Sequence, residues 1–326
     1  MSQRLPEVAD LGHGIGSIPI PLPIASPPWV NAYVVRGDDR VVLIDCGMDW
    51  DVGDGHLRDG LRTLACDPTE IDTLIVSHMH PDHVGMAPRL IRRHGWKLLM
   101  HQRATVLYER YNDTPLRARR IRAFVERHGT PGELAGRVGD IGQRPAWMPP
   151  LDPPDSVVMD GDTIELGRRR LDVLYTPGHE QTHICLMDSR TGILFSGDHV
   201  LPRITPIIMW DEDAEDALGD YLASLRRLID LGIGLTYPAH GSIVERGSAR
   251  SEQILLHHDR RLEGMFDLVH LGPTTAWHVM TESYRPNLPP DHQRMALLET
   301  VSHLEHLRLK DRLCWFEEAG VTFYRT

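Results

Sequence analysis

The chain has 326 residues, 41% hydrophobic and 25% charged, the composition of a folded globular protein, which excludes a largely disordered or fibrous one. Lys and Arg number 35 against 46 Asp and Glu, so a net charge of −11 argues against overall attraction to nucleic acid or an anionic membrane. At roughly 150 residues per domain the length suits about two domains.

Residues 1–10 are polar and acidic, and the apolar run at 18–24 is broken by Pro19, Pro21 and Pro23, unlike the core of a signal peptide. No stretch approaches the roughly 20 apolar residues that span a bilayer. Cys46, Cys66, Cys185 and Cys314 are widely spaced with no C-x-x-C pair, which argues against a disulfide framework or a thiolate zinc cluster. A cytoplasmic protein is the expectation.

Two β-branched runs at 32–35 and 41–44, separated by Gly37-Asp38-Asp39, predict a hairpin that ends at Asp45-Cys46-Gly47. Leu57, Leu61 and Leu64 predict a helix over 56–65, and the run 73–76 predicts a buried strand. Directly after it stands Ser77-His78-Met79-His80-Pro81-Asp82-His83. A helix at 86–94 and strands at 97–101, 171–175, 183–187 and 193–196 continue an alternating pattern, consistent with two sheets faced by helices. Residues 103–150 break this rhythm: helical over 104–111 and 116–128, then rich in Gly and Pro, they read as an insertion. After 247, one helix runs through Leu255, Leu262, Phe266 and Val269, another through Leu297, Val301 and Leu304, and a hairpin closes the chain at 313–316 and 321–324.

In His78-x-His80-x-Asp82-His83, four potential ligands fall within six residues where a loop can wrap them around a common point; imidazole with carboxylate suits zinc and its borderline neighbours. His179, Asp198 and His240 follow singly, each at the end of an apolar run and each beside a Gly that lets the backbone bend closely. Seven ligands suffice for two metals.

This ordered set resembles the metal signature of the metallo-β-lactamase superfamily over roughly residues 13–247, and Asp45 matches the acidic residue that the family places after its first hairpin. The resemblance implies an α/β fold, an αββα sandwich with its dinuclear site at one edge of the two sheets. It implies that His78, His80 and His179 hold one metal and Asp82, His83 and His240 the other, with Asp198 bridging. Two divalent ions are expected, zinc first and iron or manganese next. Asp82 would also shuttle a proton to the leaving group, and Asp45 would fix a histidine tautomer. His183 is left open between a packed strand residue and a functional one.

Position 80 separates branches: flavodiiron-type members carry a glutamate there, so His80 disfavours oxygen reduction at a di-iron centre. Thr176-Pro177-Gly178-His179-x-x-x-His183 is similar to a glyoxalase II pattern, but Glu180 and Thr182 depart from it, which weakens the case for glutathione thioesters. The expected organisation is a catalytic domain at 1–248, with a helical lid at 103–150, and a small winged-helix-like domain at 249–326. That tail resembles a module carried by some superfamily members, including an endoribonuclease branch. Residues 250–326 hold nine Lys and Arg against eleven Asp and Glu, however, the wrong balance for gripping phosphates. A buttress or homodimer contact is expected instead, with His257, His258, His292, His303 and His306 as solvated helix residues.

Residues 103–127 carry seven arginines against three acids, so Arg117, Arg119, Arg120 or Arg122 is expected near the site entrance, receiving an anionic substrate, or on a solvated face. Trp147 and Met148 would cap an acyl pocket or pin the loop. The expected function is hydrolysis of an acyl bond, a thioester first, in a small-molecule substrate. The alternatives are an endoribonuclease or phosphodiesterase, a lactonase or β-lactamase-type hydrolase, a persulfide dioxygenase with one iron at His78, His179 and Asp198, and a non-enzymatic metal-stabilised binding protein.

Overall fold

The computed structural model describes residues 4–24, 26–139 and 150–326; Trp147 and Met148 lie outside them. The chain starts with β1 (Ala9–Asp10), β2 (Ile15–Pro21), β3 (Trp29–Arg36) and β4 (Val41–Ile44), then α1 (Asp51–Thr63), β5 (Ile71–Ile75), α2 (Pro81–Val84), α3 (Ala87–His94) and β6 (Lys97–His101). The insertion follows as α4 (Ala104–Asn112), α5 (Thr114–Arg127) and α6 (Gly132–Gly139). β7 (Ser156–Val158), β8 (Thr163–Leu166), β9 (Arg169–Tyr175), β10 (Ile184–Asp188), β11 (Leu194–Gly197), α7 (Ala217–Asp230) and β12 (Thr236–Pro238) complete two sheets. The last segment is α8 (Gly247–His270), β13 (Thr274–Thr275), α9 (Ala276–Ser283), α10 (Pro290–Leu309), β14 (Cys314–Glu318) and β15 (Val321–Arg325).

The first sheet runs β1 to β7 in chain order, antiparallel to β4 and parallel beyond it; the second has the order β12-β11-β10-β9-β8. The period of two in β3 and β4 builds the layers. Tyr33 and Val35 pair with Ile44 and Val42 and face Val173, Ile184, Leu186 and Phe195 of the second sheet, while Val34 and Leu43 point outward to Leu57 and Leu61 of α1 and Leu90 of α3. The second sheet's outer side, through Leu174, Cys185 and Leu194, packs on Leu218, Leu222 and Leu225 of α7, whose three- and four-residue spacing makes one apolar helix face. Two sheets between two helical layers form an αββα sandwich.

Several elements were not visible in the pattern. β2 occupies much of the proline-broken run: Pro19 and Pro21 pair with Asn31 and Trp29 of β3, but the two-residue β1 reaches only Gly16 and Ser17. Both prolines therefore sit where β2 is a sheet edge and no backbone donor is missed. α7 and the short β7 and β8 were likewise not anticipated.

Residues 249–326 carry their own sheet, β13-β15-β14, yet share one apolar core with the second sheet's outer face: Ile254, Met265, Val301 and Tyr324 join Leu218 and Leu222. Here one expectation fails. His257 and His292 are exposed, but His258 and His303 are fully buried and His306 is nearly so, because α8 and α10 pack face to face. His258 Nδ1 lies 3.1 Å from His303 Nε2, His303 Nδ1 is 2.8 Å from the Glu299 carbonyl, and His306 Nδ1 is 2.8 Å from Asp216. No helix among the described residues is long and apolar enough to cross a membrane.

One buried ion pair ties the sheets together. Arg169 Nη2 donates to Asp188 at 2.8 Å, and its Nη1 donates to the carbonyls of His13 and Arg36 at 2.9 Å; both side chains are sealed from solvent. Arg169→Ala should therefore lower unfolding stability by about 3–5 kcal/mol, since it leaves the Asp188 charge buried without its partner. The double change Arg169→Met with Asp188→Leu should be less damaging than the single one, as read from urea unfolding midpoints.

Candidate metal centre

At the end of β5, Ser77 leads into a loop that Pro81 converts into the short helix α2, which brings His78, His80, Asp82 and His83 around one point. Gly178 and Gly197 precede the next two candidates, and both take positive φ. A Cβ on Gly178 would lie 2.4 Å from Tyr221 Cβ, and one on Gly197 would lie 2.7 Å from His183 Nε2, so only glycine admits these approaches of His179 and Asp198. His240 follows β12, whose end is held against β3: Tyr33 Oη and Asn31 Nδ2 donate to the Pro238 carbonyl at 2.8 and 3.1 Å.

The seven side chains meet as two groups, His78, His80, His179 and Asp198, and Asp82, His83 and His240, with potential ligand atoms within 4.8 Å of one another in each. Asp198 stands between them. Its Oδ2 is 3.5 Å from His179 Nε2, while its Oδ1 is 3.5 Å from His83 Nε2 and 3.4 Å from His240 Nε2. Asp82 Oδ2 lies 3.2 Å from His240 Nε2. Donors around a tetrahedral ion with bonds of about 2.0–2.1 Å stand about 3.3 Å apart, so these separations suit a divalent cation in each group.

Hydrogen bonding on the far side of each ring supports that fit. His83 Nδ1 is 2.8 Å from Asp45, His179 Nδ1 is 2.8 Å from the Ile207 carbonyl and His240 Nδ1 is 2.7 Å from the Trp29 carbonyl. These acceptors hold a proton on Nδ1 and turn Nε2 inward, so that a cation displacing any second proton meets the Nε2 lone pair. All three Nε2 atoms, and Asp198 Oδ1, are buried without a hydrogen-bond partner among the described residues, which a coordinated cation would supply. Asp45, at φ 58°, aims its carboxylate back over the loop: it also accepts from the Ser77 amide at 2.8 Å and from Ser77 Oγ at 2.9 Å, and Ser77 Oγ is 3.0 Å from His78 Nδ1. Asp45 thus orients a ring in each group.

Burial, and then the neighbouring His83 and His80, hold His78 well below the usual imidazole range; burial and then His179 push His80 down to about 3. Both stay neutral, as ligands must. Burial would also depress His83 and His240, but the Asp198 charge, with Asp82 and, for His83, Asp45, outweighs it and raises both. The same histidines keep Asp82 and Asp198 ionised against the opposing effect of burial.

Two buried histidines outside the predicted set adjoin the centre. His183 accepts from the Asp198 amide through Nε2 at 3.1 Å while its Nδ1 is 2.8 Å from Thr176 Oγ1, so it braces Asp198. His199 is buried with neither ring nitrogen hydrogen-bonded among the described residues, and burial, then His179, holds it down to about 3. Only its place after Asp198 could have drawn attention to it.

His80 and His179 open onto a cleft of about 660 Å³. Arg117 and Arg120 of α5 line it, whereas Arg119 and Arg122 stand outside it on the exposed side. Glu180, Trp210 and, from α10, Arg294 also line it, and none of these was singled out as a cleft residue from the sequence.

Residues 29–240 match the family described as the metallo-beta-lactamase superfamily. The lactamase-like protein adaB of Aspergillus niger is 27% identical over 237 residues, covering 71% of this chain and 56% of that protein, so this chain spans about half the length of such relatives. A beta-lactamase-like protein 2 homolog of Drosophila melanogaster is 25% identical over 299 residues, covering 90% of this chain and 87% of that one. Among solved structures, a metallo-beta-lactamase family protein from Thermus thermophilus superposes with a TM-score of 0.81 at 28% identity, covering 97% of this chain and 100% of that one. A beta-lactamase domain protein from Burkholderia ambifaria gives 0.83 at 26% identity, covering 98% and 94%.

Because Asp45 reaches His83 directly and His78 through Ser77, Asp45→Ala should weaken divalent-metal affinity by about 10–100-fold without removing a ligand. Competition against a chromogenic chelator checks this, and affinity equal to that of the unaltered protein would assign Asp45 a purely structural place.

Proposed function

The chain belongs to the metallo-β-lactamase superfamily, as a metal-dependent hydrolase, and from that premise we propose that it binds two divalent cations and cleaves an acyl bond, a thioester first. The carrying observation is the position of Asp198 between two His and Asp groups whose inward atoms lack partners, at the foot of a cleft. Cations held there would supply water activation near neutral pH and polarisation of a carbonyl oxygen.

The chain's own residues would do the rest. Asp82 is the most open carboxylate of the set, its side chain 17% exposed against 10% for Asp198, and its carboxyl stays ionised. It is therefore placed to accept a proton from the attacking water and pass it to the leaving group. Ile121, Phe124, Trp210 and Leu298 give the cleft apolar walls suited to an acyl chain. Zinc is the first choice for a donor set of imidazoles and carboxylates.

The 249–326 segment runs helix, strand, helix, helix, strand, strand, an order that supports a winged-helix-like reading. Its nine cations against eleven anions favour a buttressing role over phosphate binding.

The metal-loaded protein, assayed against thioesters, lactones, phosphodiesters and β-lactams, should turn over thioesters fastest. Asp198→Asn should lower bound metal below two equivalents and reduce turnover by more than about 100-fold, since a neutral amide cannot bridge two cations. Preferential phosphodiester cleavage, or full activity in Asp198→Asn, would overturn the reading.

A further inference from the structure

Among the described residues six arginines line the cleft, and four are neutralised. Arg110 pairs with Asp213 and Arg120 with Glu212; Arg127 meets Glu317 at 2.6 Å and Arg308 meets Glu305 at 2.7 Å. Arg117 and Arg294 have no carboxylate within 4 Å among the described residues, and Arg294 Nε is buried with no hydrogen-bond partner there. They come from different parts of the chain, Arg117 from α5 in the insertion and Arg294 from α10 in the tail.

Their surroundings do not compensate. Burial bears most on Arg117, and the opposing groups are Asp211 and the Tyr111 phenol, which is uncharged near neutral pH; burial pushes the Asp211 carboxyl up, which makes it a weak counter-ion. Burial, and then the Arg117 charge itself, pushes Arg294 down to about 10, with Asp291 the opposing anion. Two desolvated cations set against each other in an open cleft are unfavourable unless an anion enters between them. Alongside them, Phe124 and Trp210 stack at 5.0 Å and offer an apolar surface to the body of a ligand.

We propose that Arg117 and Arg294 form an anion-receiving subsite of the cleft beside His80 and His179, so that the substrate is an acyl thioester carrying a phosphate or a carboxylate and the tail takes part in recognising it. The substrate class rests on the acyl-hydrolase reading above; the anion site itself does not. The anion can sit on either side of the scissile bond, as a phosphate of the thiol carrier or a carboxylate of the acyl group. Both make the same charge-assisted hydrogen bonds to guanidinium.

The test is calorimetric binding to the metal-loaded, full-length protein with two pairs of non-hydrolysed probes. S-methyl-4′-phosphopantetheine is compared with S-methylpantetheine, which differs only in lacking the phosphate, and 6-methoxyhexanoate with 1,6-dimethoxyhexane, ethers with no acyl bond to cleave. In one pair the anionic member should bind more tightly, and less so at high salt. Arg117→Gln or Arg294→Gln should weaken that member about tenfold each, leave its neutral counterpart unchanged, and be partly rescued by lysine. The pair that responds identifies the source of the anion. Unchanged anion affinity in both variants, or lysine variants that bind the anionic and neutral members alike, would overturn the proposal. Thioester turnover with a KM indifferent to both arginines would remove the subsite and leave the hydrolase standing. Arginine-dependent anion binding without turnover of any acyl substrate would do the reverse.

Discussion

Everything at the candidate centre depends on lone pairs held toward one small buried space. Three imidazoles, His83, His179 and His240, have Nδ1 committed to Asp45 or to a backbone carbonyl, which turns each Nε2 inward and without a hydrogen-bond partner among the described residues. Two carboxylates share the same space and remain ionised because positive charge stands beside them, carried by the second protons of His83 and His240 until a divalent cation replaces those protons. Such a cluster is costly for a metal-free fold and well matched to divalent ions, which satisfy the inward nitrogens and offset the carboxylates together. The same hydrogen bonds that fix the tautomers tie the centre to the scaffold.

The scaffold supplies those ties because the centre lies where both sheets end. β5 and β11 deliver their candidate ligands directly into loops, and the end of β12, just before His240, is fastened to Asn31 and Tyr33 of the opposite sheet. Distances between His240 and Asp82 or Asp198 are therefore set by how the sheets pack, not by local loop preference. The buried Arg169–Asp188 pair, reaching the carbonyls of His13 and Arg36, serves that packing away from the chemistry. Gly178 and Gly197 mark where the fit is tightest, since a single added carbon would displace Tyr221 or His183.

The cleft beside the centre has another origin. α5 from the insertion and α10 from the tail face one another across it, so segments that read as accessories to the sandwich supply most of the surface a substrate would meet. Continuity of the apolar core from α7 through α8 to α10 holds the tail in that position. Four of the cleft's arginines are spent on ion pairs that shape its rim, which leaves Arg117 and Arg294, among the described residues, as the arginines open to a ligand.

Local patterns carried much of this. Alternation in β3 and β4, the leucine spacing in α1 and the run before Ser77 are short-range consequences of side-chain direction, and the helices of the insertion and tail follow from their apolar spacing. His78, His80, Asp82 and His83 lie within six residues, so their meeting could be read from spacing, whereas His179, Asp198 and His240 had to be joined to them by resemblance. β2 stayed hidden because whether a proline is tolerated in a strand depends on what lies beside it. Burial of His258, His303 and His306 depended on which helix covers them, and the places of His183 and Arg294 on contacts with distant residues. Residue types and their spacing act within a few turns of chain; which charges find a partner, and which are left to seek one in a ligand, is settled by surfaces that meet across a hundred residues or more.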